Sequence, residues 1–178
     1  MTALANTLVL GGARSGKSAF AENLVRDSGL ARIYLATATA DDDEMKARVA
    51  QHRAQRGDGW TTIEEPLALV DALTREATRG RAVLVDCLTL WLSNLMLAGR
   101  DPEVEARRLT RFLGVAKYPV VFVSNEVGLG LVPETPLGRR FRDAQGRLNQ
   151  LVAACVPNVV FIAAGLPLWL KKSSLQEN

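Results

Sequence analysis

Cysteine, aromatic residues and net charge are all scarce in this sequence. Two cysteines occur in 178 residues, Cys87 and Cys155, far apart and each inside an apolar run. That excludes a disulfide or thiolate-metal framework, and both read as small core residues in a reducing compartment. Aromatics make up 6%, so the basic-aromatic stripe on which nucleic-acid bases stack is missing and no nucleic-acid partner is expected. The formal charge is only +3, and the arginine surplus suits phosphorylated small molecules. No apolar run approaches the roughly 20 residues of a membrane-spanning helix. The first stretch, MTALANTLVLGGARSGK, has no charged leader region, so a cytoplasmic protein is expected. Repeats, low-complexity tracts and linkers are also missing, and the length fits one domain, residues 1–178.

Against these absences stands one dense motif. Gly11, Gly12, Ala13, Arg14, Ser15, Gly16, Lys17 and Ser18 fit G-x-x-x-x-G-K-[ST], between a strand-like run, Thr7 to Leu10, and a helix-like run, Ser18 to Arg26. In that context the backbone N–H groups of the loop converge on a phosphate, and the next helix adds its positive end. Gly11 and Gly16 permit the turns, Lys17 reaches the β- and γ-phosphates, and Ser18 is a Mg²⁺ ligand.

The rest of the chain alternates. Strands are expected at Arg32–Thr37, Trp60–Glu64, Arg81–Val85 and Pro119–Val123, with Asn158–Ala163 and Pro167–Leu170 closing in a hairpin. Helical spacing predicts helices over Asp41–Arg56, Leu67–Thr78, Leu88–Leu97, Pro102–Ala116 and Leu137–Cys155. The last of these puts Leu137, Phe141, Ala144, Leu148, Leu151 and Cys155 on one apolar face. Leu88–Leu97 is apolar on most faces, which predicts a buried helix or an oligomer contact, and the three tryptophans read as core or interface. The alternation implies an α/β protein with a mainly parallel sheet covered by helices on both faces.

In such sheets ligands gather at the C-terminal ends of the strands. Asp86 ends the run RAVLVD, where a carboxylate can hold Mg²⁺ beside Ser18; an N-cap role is the alternative. Ser124, Asn125 and Glu126 reach the same rim, and the loop EVGLGLVPETP after them reads as a substrate wall. Asp41, Asp42 and Asp43 read as a helix start rather than a metal cluster. His52 lies on the Asp41–Arg56 helix with Arg48 and Arg56 one turn to either side. Those cations favour a neutral, nucleophilic imidazole near bound phosphates, although the residues alone fit an ordinary surface histidine as well.

Several stretches together resemble one family. LVLGGARSGKSAFAE, YLATATADDDEMKARVAQHR, VLVDCLTLWLSNL, VFVSNEVGLGLVPETPLGRRFRDAQGRLNQ and VVFIAAGLPLWLK cover nearly the whole chain in order. They are similar to the bifunctional adenosylcobinamide kinase / adenosylcobinamide-phosphate guanylyltransferases of cobalamin biosynthesis. The resemblance implies a P-loop NTPase with a RecA-like sheet, assembled as a homotrimer. It implies ATP- or GTP-dependent phosphorylation of adenosylcobinamide, then GMP transfer from GTP to that phosphate, with Mg²⁺. It makes His52 the guanylyl carrier; the preceding position, where relatives often have a second histidine, is Gln51. By position, Thr37, Ala38 and Thr39, the segment Arg53, Ala54, Gln55 and Arg56, and the carboxylates of Glu64 and Asp86 match nucleotide contacts. Relatives often read Lys-Asp-Gly where this chain reads RAQR. A small-metabolite kinase without the guanylyl step is the alternative; a switch GTPase is disfavoured, as no N-K-x-D occurs.

Overall fold

The computed structural model describes residues 4–38 and 56–173. The element order is β1 (Thr7–Gly11), α1 (Lys17–Asp27), β2 (Ala31–Ala36), β3 (Trp60–Glu64), α2 (Leu69–Glu76), β4 (Arg81–Asp86), α3 (Leu88–Leu97), α4 (Pro102–Val115), β5 (Val120–Asn125), α5 (Pro136–Cys155), β6 (Asn158–Ala163) and β7 (Leu166–Lys171). Of the expected Asp41–Arg56 helix, only Arg56 falls within the described residues. His52, Thr39, Arg53, Ala54 and Gln55 lie outside them, as do Asp41, Asp42 and Asp43.

The strands form one seven-stranded sheet in the order β3-β2-β4-β5-β1-β6-β7. All neighbours run parallel except β6 and β7, which pair antiparallel as the expected hairpin. Side chains alternate across it with the two-residue period of a strand. Leu8, Leu10, Ile33, Leu35, Val83, Val85, Val120 and Phe122 enter a core under α2, α3, α4 and α5. Val9, Tyr34, Ala82, Leu84, Val121, Val123 and Ile162 face α1 on the other side. Helices therefore cover both faces, as the alternation predicts.

Local chemistry sets the boundaries. Asp101 caps α4, its Oδ1 accepting from Glu103 N (2.8 Å) and Val104 N (3.4 Å), with Pro102 at the first helical position. Thr135 caps α5 through Gly138 N (3.1 Å), again ahead of a proline. The expected Leu67–Thr78 helix is trimmed to Leu69–Glu76. Its first residues are held in a turn, where Glu65 Oε1 accepts from Leu67 N and Ala68 N, and Trp91 Nε1 donates to Leu67 O.

Leu88, Trp91, Leu92 and Leu95 of α3 are all 1% exposed or less, as a buried helix requires, while Leu97 at its last turn is 78% exposed. On α5 the expected apolar face is displaced. Gln145, Leu148, Asn149 and Val152 are buried, whereas Leu137 and Leu151 are 50% and 41% exposed. Cys155 is exposed as well, against the expectation of a core thiol. The cause is a polar requirement at the C-terminal end of β5 that a hydrophobic pattern does not register. Gln145 Nε2 donates to Ser124 Oγ (2.9 Å) and Asn149 Oδ1 (2.9 Å), and Ser124 Oγ donates to Asn149 Oδ1 (2.7 Å). These buried groups turn the helix so that polar side chains close the end of β5. Among the tryptophans, Trp91 is core, Trp60 is half-buried and Trp169 lies on the exposed face of β7.

Candidate active site

The loop after β1 is built for a close backbone approach. Gly16 has φ +94° and caps α1 without a side-chain hydrogen bond, leaving the first helical N–H groups free for an anion. A Cβ on Gly11 would lie 2.5 Å from Ser15 Oγ and 2.7 Å from Ile162 O, so only glycine fits there. The β6–β7 turn buttresses the loop from outside, with Gly165 N donating to Ser15 O at 2.9 Å. Ser15 Oγ is buried with no partner among the described residues, an orphaned polar atom within the cradle.

Lys17 Nζ donates to Gly12 O (3.0 Å), which lays the ammonium across the loop. Burial lowers its pKa, while Cys87 and Asp86 act in the opposite direction. Asp86 ends β4, in register with Ala36 of β2 and Val123 of β5. Two strand spacings, about 10 Å in all, separate β4 from β1. Tyr34, at the centre of β2, donates its hydroxyl to Asp86 Oδ2 at 2.9 Å. Burial, then the adjacent Asp86, pushes the phenol well above its ordinary pKa, so it remains a donor at any working pH.

Thr37 is fully buried. Its hydroxyl donates to Cys87 O (2.7 Å) and accepts from Cys87 N (2.8 Å), and its backbone N–H donates to Asp86 O (3.1 Å). It fixes the backbone on which Asp86 stands; Ala38 follows, half-buried. Arg56 is 5% exposed. Its guanidinium lies 3.5 Å from the Tyr34 ring centroid and donates to Thr62 Oγ1 at 3.0 Å. Glu64 is exposed at the end of β3. Four strand spacings, about 19 Å, lie between β3, which Glu64 ends, and β1.

The sequence reading did not single out Tyr34 or Glu22. Glu22 lies on the sheet side of α1, 8% exposed, with its pKa raised by burial; Arg56 opposes that shift and Asp86 reinforces it. The period of β2 carries the signal for Tyr34, since in ARIYLA the tyrosine shares a face with Ala36 and not with Ile33 or Leu35. Among the described residues no three acidic, histidine or cysteine side chains converge as a metal cage. One hydroxyl, Ser18, with one carboxylate, Asp86, is a sparse donor set. It suits Mg²⁺, which retains waters and takes phosphate oxygens.

A phosphate loop joining an interior strand of a parallel sheet to a helix, with a carboxylate ending a nearby strand, defines the P-loop NTPase class. The RadB recombinase shares this fold, with a TM-score of 0.53 at 15% identity over 88% of this chain and 73% of that one. The family model described as "Cobinamide kinase / cobinamide phosphate guanyltransferase" matches residues 7–170. A bifunctional adenosylcobalamin biosynthesis protein, CobP from Pseudomonas aeruginosa, is 51% identical over 170 residues, 94% of this chain and 98% of its own length. Another of that description, CobU from Escherichia coli, is 37% identical over 179 residues, 92% of this chain and 98% of its own. The chain belongs to the cobinamide kinase / cobinamide phosphate guanyltransferase family. It is a kinase and nucleotidyltransferase of cobalamin biosynthesis.

Proposed function

We propose that one domain, residues 1–178, runs both reactions of its family at a single phosphate loop, with His52 carrying the guanylyl group. The observation that supports this best is the setting of Lys17. Its ammonium lies on the loop, half-buried and within the field of Asp86. A cation there stabilises charge on a transferred γ-phosphoryl group, and equally on departing pyrophosphate.

In the kinase step the adenosylcobinamide hydroxyl attacks the γ-phosphorus of ATP or GTP. The bond to the bridging oxygen breaks and the nucleoside diphosphate leaves. Positioning supplies most of the acceleration, and no general base is assigned. In the second step an imidazole nitrogen of His52 attacks the α-phosphorus of GTP and pyrophosphate leaves. A phosphate oxygen of adenosylcobinamide phosphate then attacks the same phosphorus. The P–N bond breaks, giving adenosylcobinamide-GDP and free His52.

The backbone and side chains of Gly11 to Ser18 hold the phosphates. Ala38 and Thr39, the segment Arg53 to Arg56, and Glu64 line the nucleoside end, with buried Thr37 serving it by fixing the backbone behind them. Ser18 and Asp86 would hold Mg²⁺, which would neutralise charge on the phosphates. The protein works in the cytoplasm, without nucleic acid, as a homotrimer. For the location, no helix among the described residues is long and apolar enough to cross a membrane. For association, β7 carries Leu166, Leu168 and Leu170 at 71%, 60% and 59% exposure, an apolar strip that calls for cover.

Incubation with GTP labelled at the α-phosphate tests the central claim. Acid-labile, alkali-stable label is expected on the parent protein and none on His52→Ala. Equal label on both overturns the role of His52.

A further inference from the structure

A second exposed apolar surface begins at the phosphate loop itself. Asn125, the last residue of β5, is in register with Gly11, and Glu126 N donates to Gly11 O at 3.1 Å. Residues 126–135 (EVGLGLVPET) therefore leave the sheet beside the cradle. Both ends of this segment are pinned. At the start, Asn149 Nδ2 donates to Asn125 O, Asn125 N donates to Thr89 Oγ1, and Gly128 N donates to Glu126 Oε1. At the end, Thr135 caps α5 and Arg139 donates to Pro133 O (3.1 Å) and Glu134 O (2.6 Å). Between the pins, Leu129, Leu131 and Val132 are 82%, 96% and 62% exposed. Three large apolar side chains held in water on an anchored loop mark a binding surface.

We propose that this loop is the docking surface for the corrin macrocycle of the cobinamide substrate. The proposal rests on the family's kinase activity and not on His52. The acceptor hydroxyl must meet the γ-phosphate above the loop, so the bulk of the acceptor lies along the adjoining rim. Residues 126–135 are chain that leaves the sheet at that rim, hydrogen-bonded to Gly11. A macrocycle edged with methyl groups and amide arms matches apolar side chains set on an exposed backbone, whose N–H and C=O groups meet the amides. The strip on β7 gives a second copy of the chain its own apolar surface.

Leu131→Ser, alone and with Leu129→Ser, alters only exposed side chains. The KM for cobinamide in the kinase reaction is expected to rise about 10-fold or more, with the nucleotide KM within about twofold of the parent and the native mass unchanged. Hydrogen exchange on the unaltered protein gives a second reading, in which added cobinamide slows exchange at residues 127–132. An unchanged cobinamide KM, or no protection of the loop, overturns the proposal. So does a fall in native mass in the variants, which assigns this face to a second copy of the chain.

Discussion

Tyr34→Phe removes one hydroxyl from the floor of the site and little else. The ring is 8% exposed. It is gripped by the edge of Trp60 (centroids 6.2 Å apart, 87° between planes) and by the Arg56 guanidinium at 3.5 Å. Phenylalanine keeps those contacts and loses the 2.9 Å bond to Asp86 Oδ2. A hydrogen bond to a charged acceptor contributes about 1.5–3 kcal/mol. Asp86 is half-buried, so water recovers part of it, leaving a loss of about 1–2 kcal/mol. In a chain of this size that lowers Tm by about 3–6 °C. The functional effect is separable from the stability loss. Partners that orient a metal-binding group alter metal affinity about 10- to 100-fold when removed, and solvent access to Asp86 puts this case near the lower end. The Mg²⁺ concentration giving half-maximal GTP-dependent turnover should rise about 10-fold, with activity restored at high Mg²⁺, and Asp86→Asn should exceed that shift. A lower Tm with an unchanged Mg²⁺ profile would refute the positioning argument. An unchanged profile in Asp86→Asn as well would remove Asp86 from the metal site altogether.

Two further outcomes follow from buried ionisable groups. Burial raises the pKa of Glu22, so the folded state holds that proton more tightly than the unfolded chain does. The associated stability is fully present below the unfolded value near 4.5 and is lost as pH rises through the folded value. Glu22→Gln should therefore raise Tm by a few degrees at pH 7, the gain shrinking toward zero as pH falls to 4.5; a lower Tm at pH 7 would show that attraction to Arg56 outweighs burial. The Cys87 thiol is pushed up to about 12, chiefly by burial, whereas Cys155 is exposed. A disulfide reagent should titrate one thiol in the native protein and the second only after denaturation, and rapid modification of both would contradict the packing around Cys87.

The strand alternation and the phosphate loop were readable because each depends on local spacing. Alternation in RAVLVD places Ala82 and Leu84 on the α1 face and carries Asp86 with them, so the side of the sheet that bears the carboxylate is written in the strand. The misreadings arose where a distant polar partner outweighs local pattern. The α5 apolar stripe fits a helix face by spacing alone. Nothing near Gln145 in sequence reveals that Ser124, 21 residues earlier, needs its amide. For Cys155 the reason is local, since its apolar neighbours concealed its position at the exposed end of the helix. Tyr34 meets Asp86 across 52 residues, a pairing that exists only once β2 and β4 are neighbours.

The two faces of the sheet carry different burdens. Beneath α2, α3, α4 and α5 the side chains are apolar, each fully buried leucine or phenylalanine contributing about 1.5–3 kcal/mol. On the α1 face Lys17, Glu22 and Tyr34 are shifted by their burial and by the nearby charge of Asp86, with Arg56 acting on Glu22 and Tyr34. Buried charges are costly unless paired, so this face cannot also be the main source of stability. The loop after β5 crosses that division. It starts beside Gly11, yet Asn149, held by Gln145 and Ser124 at the end of β5, fixes the Asn125 carbonyl that leads into it. Side chains from the stable face thus set the position of a loop beside the phosphates. Substitutions at Gln145 or Asn149 should therefore disturb acceptor binding before they disturb the fold of the phosphate loop, whose own hydrogen bonds run to Gly12, Ser15 and Gly165.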